Sequence, residues 1–287
     1  MSSAAKHFIL TASCPSALGT VDAVTRTLVE HDCYIDDMAS FDDTSNDMFF
    51  IRVQFRCTSD DNCLQGFRAA MADRAKNFDM NWDIHNSDER IKVTIMVSKY
   101  DHCLNDLLYR WRTNQLKIDI KGIVSNHPDL EQLAYWHNLP YYHLPVTKEN
   151  KREQEKKLLE IMEKDGSELL ILARYMQILT EEMCSDVHGK AINIHHSLLP
   201  GFKGARPYQR AFEHGVKLVG ATAHYVTSDL DEGPIITQQV AVVDHSHSTE
   251  DLTIKGRDTE SQTLAEAVRL HSEHRVFING QRTIILR

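Results

Sequence analysis

Apolar and polar positions alternate from the start of the chain. His7-Phe8-Ile9-Leu10-Thr11 predicts a short strand. Gly19–His31 carries Val21, Val24 and Leu28 at the spacing of one helix face. Tyr34–Phe41 predicts a second strand. Phe49, Ile51, Val53 and Phe55 alternate with Phe50, Arg52, Gln54 and Arg56, which predicts a strand buried on one face. Leu64, Phe67 and Met71 mark the side of a second helix, and Asp79–His85 reads as a closing strand. The order βαββαβ over residues 1–86 is that of a ferredoxin-like domain.

Asn86-Ser87-Asp88-Glu89-Arg90 is polar and predicts a linker. Beyond it the pattern changes. Ile91–Val97 is apolar enough for a strand buried on both faces. A helix near Cys103–Thr113, a strand at Ile118–Val124, a helix at Leu130–His137 and a short strand at Tyr141–Leu144 follow. Lys148–Lys164 predicts a charged helix with a solvated face. Leu169–Ala173 and Ala191–Ile194 predict further strands, and Val219–Tyr225 and Ile235–Val243 two more, joined across a turn at Asp231. Ser248-Thr249-Glu250-Asp251 fits a capping box opening a last long helix. Asn279-Gly280 predicts a terminal hairpin. Strands alternating with helices over residues 91–287 imply an α/β, Rossmann-like domain with a mainly parallel sheet. Ligands of such sheets gather outside the carboxyl ends of the strands, where His195 falls.

The composition is globular: 287 residues, 42% apolar and 25% charged. No apolar run reaches the length of a membrane span, and the start lacks the apolar core of a signal peptide, so a cytoplasmic protein without a membrane partner is expected. A net charge of −9 disfavours nucleic acid as a partner. The six cysteines are scattered with no Cys-x-x-Cys pair, which predicts reduced thiols.

The chemistry concentrates in Asn193-Ile194-His195-His196-Ser197-Leu198-Leu199-Pro200 and Leu230-Asp231-Glu232-Gly233-Pro234. On a strand, Asn193 and His195 share one face while Ile192 and Ile194 point to the other. A carboxamide donates to a carbonyl oxygen, an imidazole donates or moves a proton, and a carboxylate orients both the imidazole and a water. A preplaced donor at a developing oxyanion is worth ~3–4 kcal/mol and general acid–base help ~10²–10⁴ in rate. By itself an Asn-x-His on a strand is most often structural.

The joint pattern, Asn-x-His-x-Ser-Leu-Leu-Pro with a later Leu-Asp-x-Gly-Pro, resembles the core motif of the folate-dependent formyltransferase family over residues 91–243. The resemblance implies Asn193, His195 and Asp231 as the catalytic trio. It makes Ser197, Thr222 and His224 supporting residues of the substrate-binding set. Leu172–Leu179 resembles the segment that lines the family's pterin pocket, which implies Met176, Gln177, Ile178 and Leu179 as substrate-binding. Taken alone, the same residues read as core after a strand.

Three departures point away from transfer to a glycinamide ribonucleotide. Ser98-Lys99-Tyr100-Asp101-His102 has no glycine where transferases of a glycinamide ribonucleotide have a phosphate loop, and Asp101 would repel a phosphate. His196 stands where transferases commonly have proline, and it joins the substrate-binding set. The first domain resembles the ACT domain found in the family's hydrolytic branch. That branch implies hydrolysis of 10-formyltetrahydrofolate to formate and tetrahydrofolate, with the folate as substrate and neither cofactor nor metal. Lys203, Arg206 and Arg210 are read as partners of the folate tail or as plain surface charge. The ACT resemblance implies a homo-oligomer and a small amino-acid effector, glycine or methionine. Against an effector, Cys14-Pro15-Ser16-Ala17-Leu18-Gly19 departs from the usual ligand loop. A formyltransferase to an amine and a catalytically silent folate or amino-acid sensor remain open. So does a zinc site on His195, His196 and His224, or on Asp244, His245 and His247.

Overall fold

The computed structural model describes residues 6–57, 63–201 and 207–287. The chain divides into two compact units. The first comprises Met1–Arg90, Glu273–Phe277 and Ile284–Arg287, and the second Ile91–Ser272 and Ile278–Thr283.

In the first unit the elements are β1 (His7–Pro15), α1 (Thr20–Glu30), β2 (Cys33–Asp43), β3 (Met48–Cys57), α2 (Cys63–Lys76) and β4 (Asn81–Asn86). The strands form an antiparallel sheet in the order β2-β3-β1-β4, the ferredoxin-like arrangement. Leu10 pairs with Val53 on one side and Ile84 on the other. Together with Phe8, Ile51 and Phe55 they pack against Val24 and Leu28 of α1 and Phe67 and Met71 of α2. The alternation of β3 predicted a solvated second face, and the structure differs. Phe50 and Arg52 are 2% and 1% exposed. Phe277 meets the Phe50 ring edge-on at 5.6 Å, and Arg52 Nε donates to the Glu273 carbonyl at 3.1 Å. The returning tail covers that face. Cys14, Cys33, Cys103 and Cys184 are free. Cys57 is disulfide-bonded, so the expectation of reduced thiols fails there. Spacing along a chain does not report which thiols folding brings together.

The second unit runs β5 (Ile91–Val97), α3 (His102–Arg112), β6 (Ile118–Ser125), α4 (Glu131–Trp136), β7 (Tyr141–His143), α5 (Lys151–Asp165), β8 (Leu169–Leu172), α6 (Glu181–Asp186), β9 (Ala191–His195), α7 (Pro207–Glu213), β10 (Leu218–Tyr225), β11 (Ile235–Val242) and α8 (Thr249–Ser272). The sheet order is β11-β10-β9-β8-β5-β6-β7. Strands β7, β6, β5, β8 and β9 are parallel, while β10 runs antiparallel to both β9 and β11. The chain steps to β6 on one side of β5 and to β8 on the other, so a switch point lies between β5 and β8. β12 (Val276–Asn279) and β13 (Arg282–Ile285) form the terminal hairpin.

Two local details bear on the site. Ser248 and Asp251 form the capping box: Ser248 N–H and Oγ–H donate to the Asp251 carboxylate, and Asp251 N–H donates back to Ser248 Oγ at 3.2 Å. This fixes the start of α8. The charged helix α5 is not solvated all round. Glu155 is buried and accepts from both the N–H and the hydroxyl of Thr180, which anchors the start of α6 beneath the coming pocket.

Candidate active site

The site lies in the second unit, at the carboxyl ends of β8 and β9. Ile192 and Ile194 point into the core at 0% and 3% exposure. Asn193 and His195 face the other way. His224 of β10 sits directly across from Asn193, and Thr222 across from His195. After β10 the chain folds back as the loop 226–234. It carries Asp231, a non-glycine residue held at φ 58°, to His195. His195 Nδ1 lies 3.3 Å from Asp231 Oδ1, and His224 Nε2 lies 3.8 Å from the same oxygen.

One hydrogen-bond chain sets the tautomers. His224 Nδ1–H donates to the Tyr225 carbonyl at 2.8 Å, so Nε2 is an acceptor. It accepts a hydrogen bond from Asn193 Nδ2–H at 3.2 Å, which orients the carboxamide and leaves its second N–H free for a ligand. Burial pushes the His224 imidazole down, consistent with its neutral form. His195 is 6% exposed, and its Nε2 is buried without a hydrogen-bond partner among the described residues. Burial alone would raise the Asp231 carboxyl. The hydrogen bond and charge of His195, with His224 and His196, outweigh it and hold the carboxyl below its usual range.

These groups line a cavity of about 380 Å³, a size suited to a small organic ligand. Met176, Gln177, Ile178, Leu179, His196 and His224 line it with Asn193, His195 and Asp231. Ser98, at the end of β5, fixes the 174–178 wall by accepting from Met176 N–H at 2.9 Å and donating to Asn126 at 2.7 Å. Met176 and Ile178 are 54% and 58% exposed, an open apolar surface rather than core. Ser197 and Thr222 do not line this cavity. Thr222 is fully buried, donates to the Ser197 carbonyl and accepts from Leu199 N–H and Gln238, which pins the turn after β9. Arg210 is exposed on α7, and Lys203 and Arg206 lie outside the described residues.

Sequence reasoning did not single out a second polar cluster beside the cavity. Glu260 of α8 is 1% exposed. It accepts from His102 Nε2 at 2.7 Å and from the Tyr208 hydroxyl at 2.5 Å, and it lies 3.3 Å from Arg174 Nε. The helix leaves room for Tyr208 through Gly256, where a Cβ would fall 2.2 Å from the ring. His102, Cys103 and Glu260 have donor atoms within 4.8 Å of one another. Burial pushes the Cys103 thiol far up, and the Arg174 cation shares the Glu260 carboxylate, so the cluster has the make-up of a hydrogen-bonded ion pair.

Buried imidazoles give the fold a pH dependence. Burial pushes His196 and His271 down to about 4, with the Arg174 charge adding to the effect at His196, and it lowers His224 as well. The unfolded chain therefore binds more protons than the folded one below the ordinary histidine value of 6.5. This stability is present in full above that value and is lost as pH falls from it toward 4, by on the order of a few kcal/mol. The urea midpoint should drop between neutral pH and pH 5. A midpoint flat across that range would show that these histidines protonate freely in the folded state.

A family profile for formyl transferases matches residues 91–268, and the chain belongs to that family. Within it, the chain is 48% identical over 287 residues to a formyltetrahydrofolate deformylase of Corynebacterium sp. (strain P-1), covering 100% of both proteins. It is 43% identical to the formyltetrahydrofolate deformylase of Bacillus subtilis (strain 168), covering 96% of this chain and 92% of that one. A solved formyltetrahydrofolate deformylase from Pseudomonas putida KT2440 superposes with a TM-score of 0.94 at 58% identity, covering 98% of this chain and 100% of that one. The match over the full length includes the first, ferredoxin-like unit.

Proposed function

We propose that this chain hydrolyses 10-formyltetrahydrofolate to formate and tetrahydrofolate. The observation that carries the reading is the His195–Asp231 contact at 3.3 Å on the wall of a cavity that Asn193 shares. Full-length relatives bearing the deformylase name support it. The pterin lies on the open Met176 and Ile178 surface, with Gln177, Leu179, His196 and His224 completing the wall. Ser197 and Thr222 act through the backbone turn they pin rather than by touching the ligand.

The steps follow from the donors available. Asp231 holds the water and helps to take its proton as the water oxygen bonds to the formyl carbon. The carbonyl electron pair moves to oxygen, where the free Asn193 N–H and the His195 ring stabilise it. The water proton passes on from Asp231 to His195, so the carboxylate is again charged where it faces the positive ring. When the carbon–N10 bond breaks, N10 keeps the pair and receives a proton from His195 or from a water beside it. The exchange is redox-neutral, with the formylated folate as substrate. Formate released from the formylated folate with no amine present is the expected result. Turnover that begins only when an amine is added would move the chain to the transferase reading.

The first unit is assigned an amino-acid effector site or a role in homo-oligomer assembly. Its loop before α1 is tied down by Ser16 on Asp42 and by Thr20 on the Ala17 carbonyl, which leaves a shaped turn at Gly19. Titration calorimetry with glycine and methionine separates the two roles: heat of binding supports the effector, and its absence for both leaves assembly.

A further inference from the structure

Arg174 lines the site as a cation that the proposed mechanism leaves unused. It follows β8 with a left-handed backbone, φ 66°, an unusual conformation for a long side chain. Its side chain is 11% exposed and lines the same cavity as Asn193, His195 and His196. Nε faces Glu260 at 3.3 Å without a well-aligned hydrogen bond, and the guanidinium carbon sits 5.3 Å over the Tyr100 ring. Among the described residues no hydrogen bond takes up its two terminal nitrogens. A guanidinium sunk in a pocket wall, backed by a carboxylate on one side and an aromatic face on the other, presents an open fork. That fork matches a carboxylate in two-point geometry.

We propose that Arg174 forms a subsite for a small carboxylate, and that formate, the one-carbon product, is its ligand. The assignment rests on the hydrolase reading above. Hydrolysis supplies the ligand as the carbon–N10 bond breaks: water oxygen stays on the formyl carbon, N10 leaves with the bonding pair and a proton, and the formic acid gives up its own proton. The arginine is near enough to the reacting end for its charge to act on His196, which lies ring-edge to face on His195 with centroids 4.7 Å apart. Glu260 is the positioning residue that keeps the guanidinium turned into the wall, while His102 and Tyr208 hold Glu260. A carboxylate on the folate tail has the same chemistry, so the experiment must tell the two apart.

Binding of ¹³C-labelled formate to the full chain, followed by NMR, and inhibition of turnover by added formate test the subsite together. Formate should bind saturably to the unsubstituted protein. In Arg174→Gln and in Arg174→Gly, affinity should weaken about tenfold or more, the size expected when a charge-assisted hydrogen bond is lost. Glycine suits the left-handed backbone, so the second variant relieves the strain that glutamine shares with the native arginine. Unchanged formate affinity in a folded variant overturns the proposal. So does a variant whose only defect is a raised KM for folate that vanishes with a formylated pteroate lacking the glutamate, because Arg174 would then hold the tail. The formate titration needs no turnover. A chain that binds formate through Arg174 yet releases none from the formylated folate refutes the hydrolase reading and leaves the subsite standing. Release without Arg174-dependent binding does the opposite.

Discussion

Asp231→Asn should lower formate release about 10²–10⁴-fold, and His195→Ala should fall in the same range. The asparagine keeps the shape of the side chain at φ 58° and removes only the charge that faces His195 Nδ1 at 3.3 Å. Without that charge the ring loses the partner that orients it and stabilises its positive form. The Met176 and Ile178 surface is untouched, so the loss should sit in kcat with KM for the folate nearly constant. In the proposed mechanism the two side chains work as a unit. The double variant should therefore cost little more than the worse single one. Single-turnover assays on folded protein check this. Near-normal release from Asp231→Asn would remove the carboxylate from the mechanism, and additive losses would separate it from His195.

Gly233→Ala should disable the same site from behind. A Cβ there would stand 1.7 Å from the Tyr225 carbonyl oxygen and 3.3 Å from His224 Nδ1. The first obstacle is backbone, so no side-chain rotation relieves it. The loop must lift, which breaks the 2.9 Å bond from Tyr225 N–H to the Pro234 carbonyl and draws Asp231 away from His195. A loss of about 3 kcal/mol or more in urea unfolding is expected, with activity falling further than the unfolded fraction explains. Gly215→Ala is the comparison. That glycine has φ 59° but no neighbour within 4 Å of the new atom, so only conformational strain of about 1–2 kcal/mol applies. Equal costs at the two positions would sink the close-approach argument.

The parts of this structure that one element encodes were legible in the sequence. Alternation in β1 and β3 reported the sheet of the first unit, and Ser248 with Asp251 reported the start of α8, because each pattern is local. The meeting of Asn193 and His195 with Asp231 was legible only as a resemblance, since it depends on a loop folding back after an antiparallel strand. Burial of both faces of β3 was hidden, because the covering residues, Glu273 and Phe277, come from the far end of the chain. The Glu260 cluster was hidden for a similar reason. Its members come from α3, the end of β8, α7 and α8, and no spacing connects them. The one available hint was an arginine in the mostly apolar wall segment Leu172–Leu179. Ser197 and Thr222 enter the substrate-binding set only through the family resemblance, and no local pattern shows that the Thr222 oxygen is taken up by the turn backbone and the Gln238 side chain.

The returning tail also decides what can be cut from this protein. Phe277 and Glu273 cover Phe50 and Arg52, so a fragment ending at residue 90 would bare an aromatic ring and a guanidinium on the middle of its sheet. Such a fragment invites self-association through that strip. The first unit is therefore stitched from two distant stretches of the chain, and a rearranged chain that joins them is the natural way to make it as one piece.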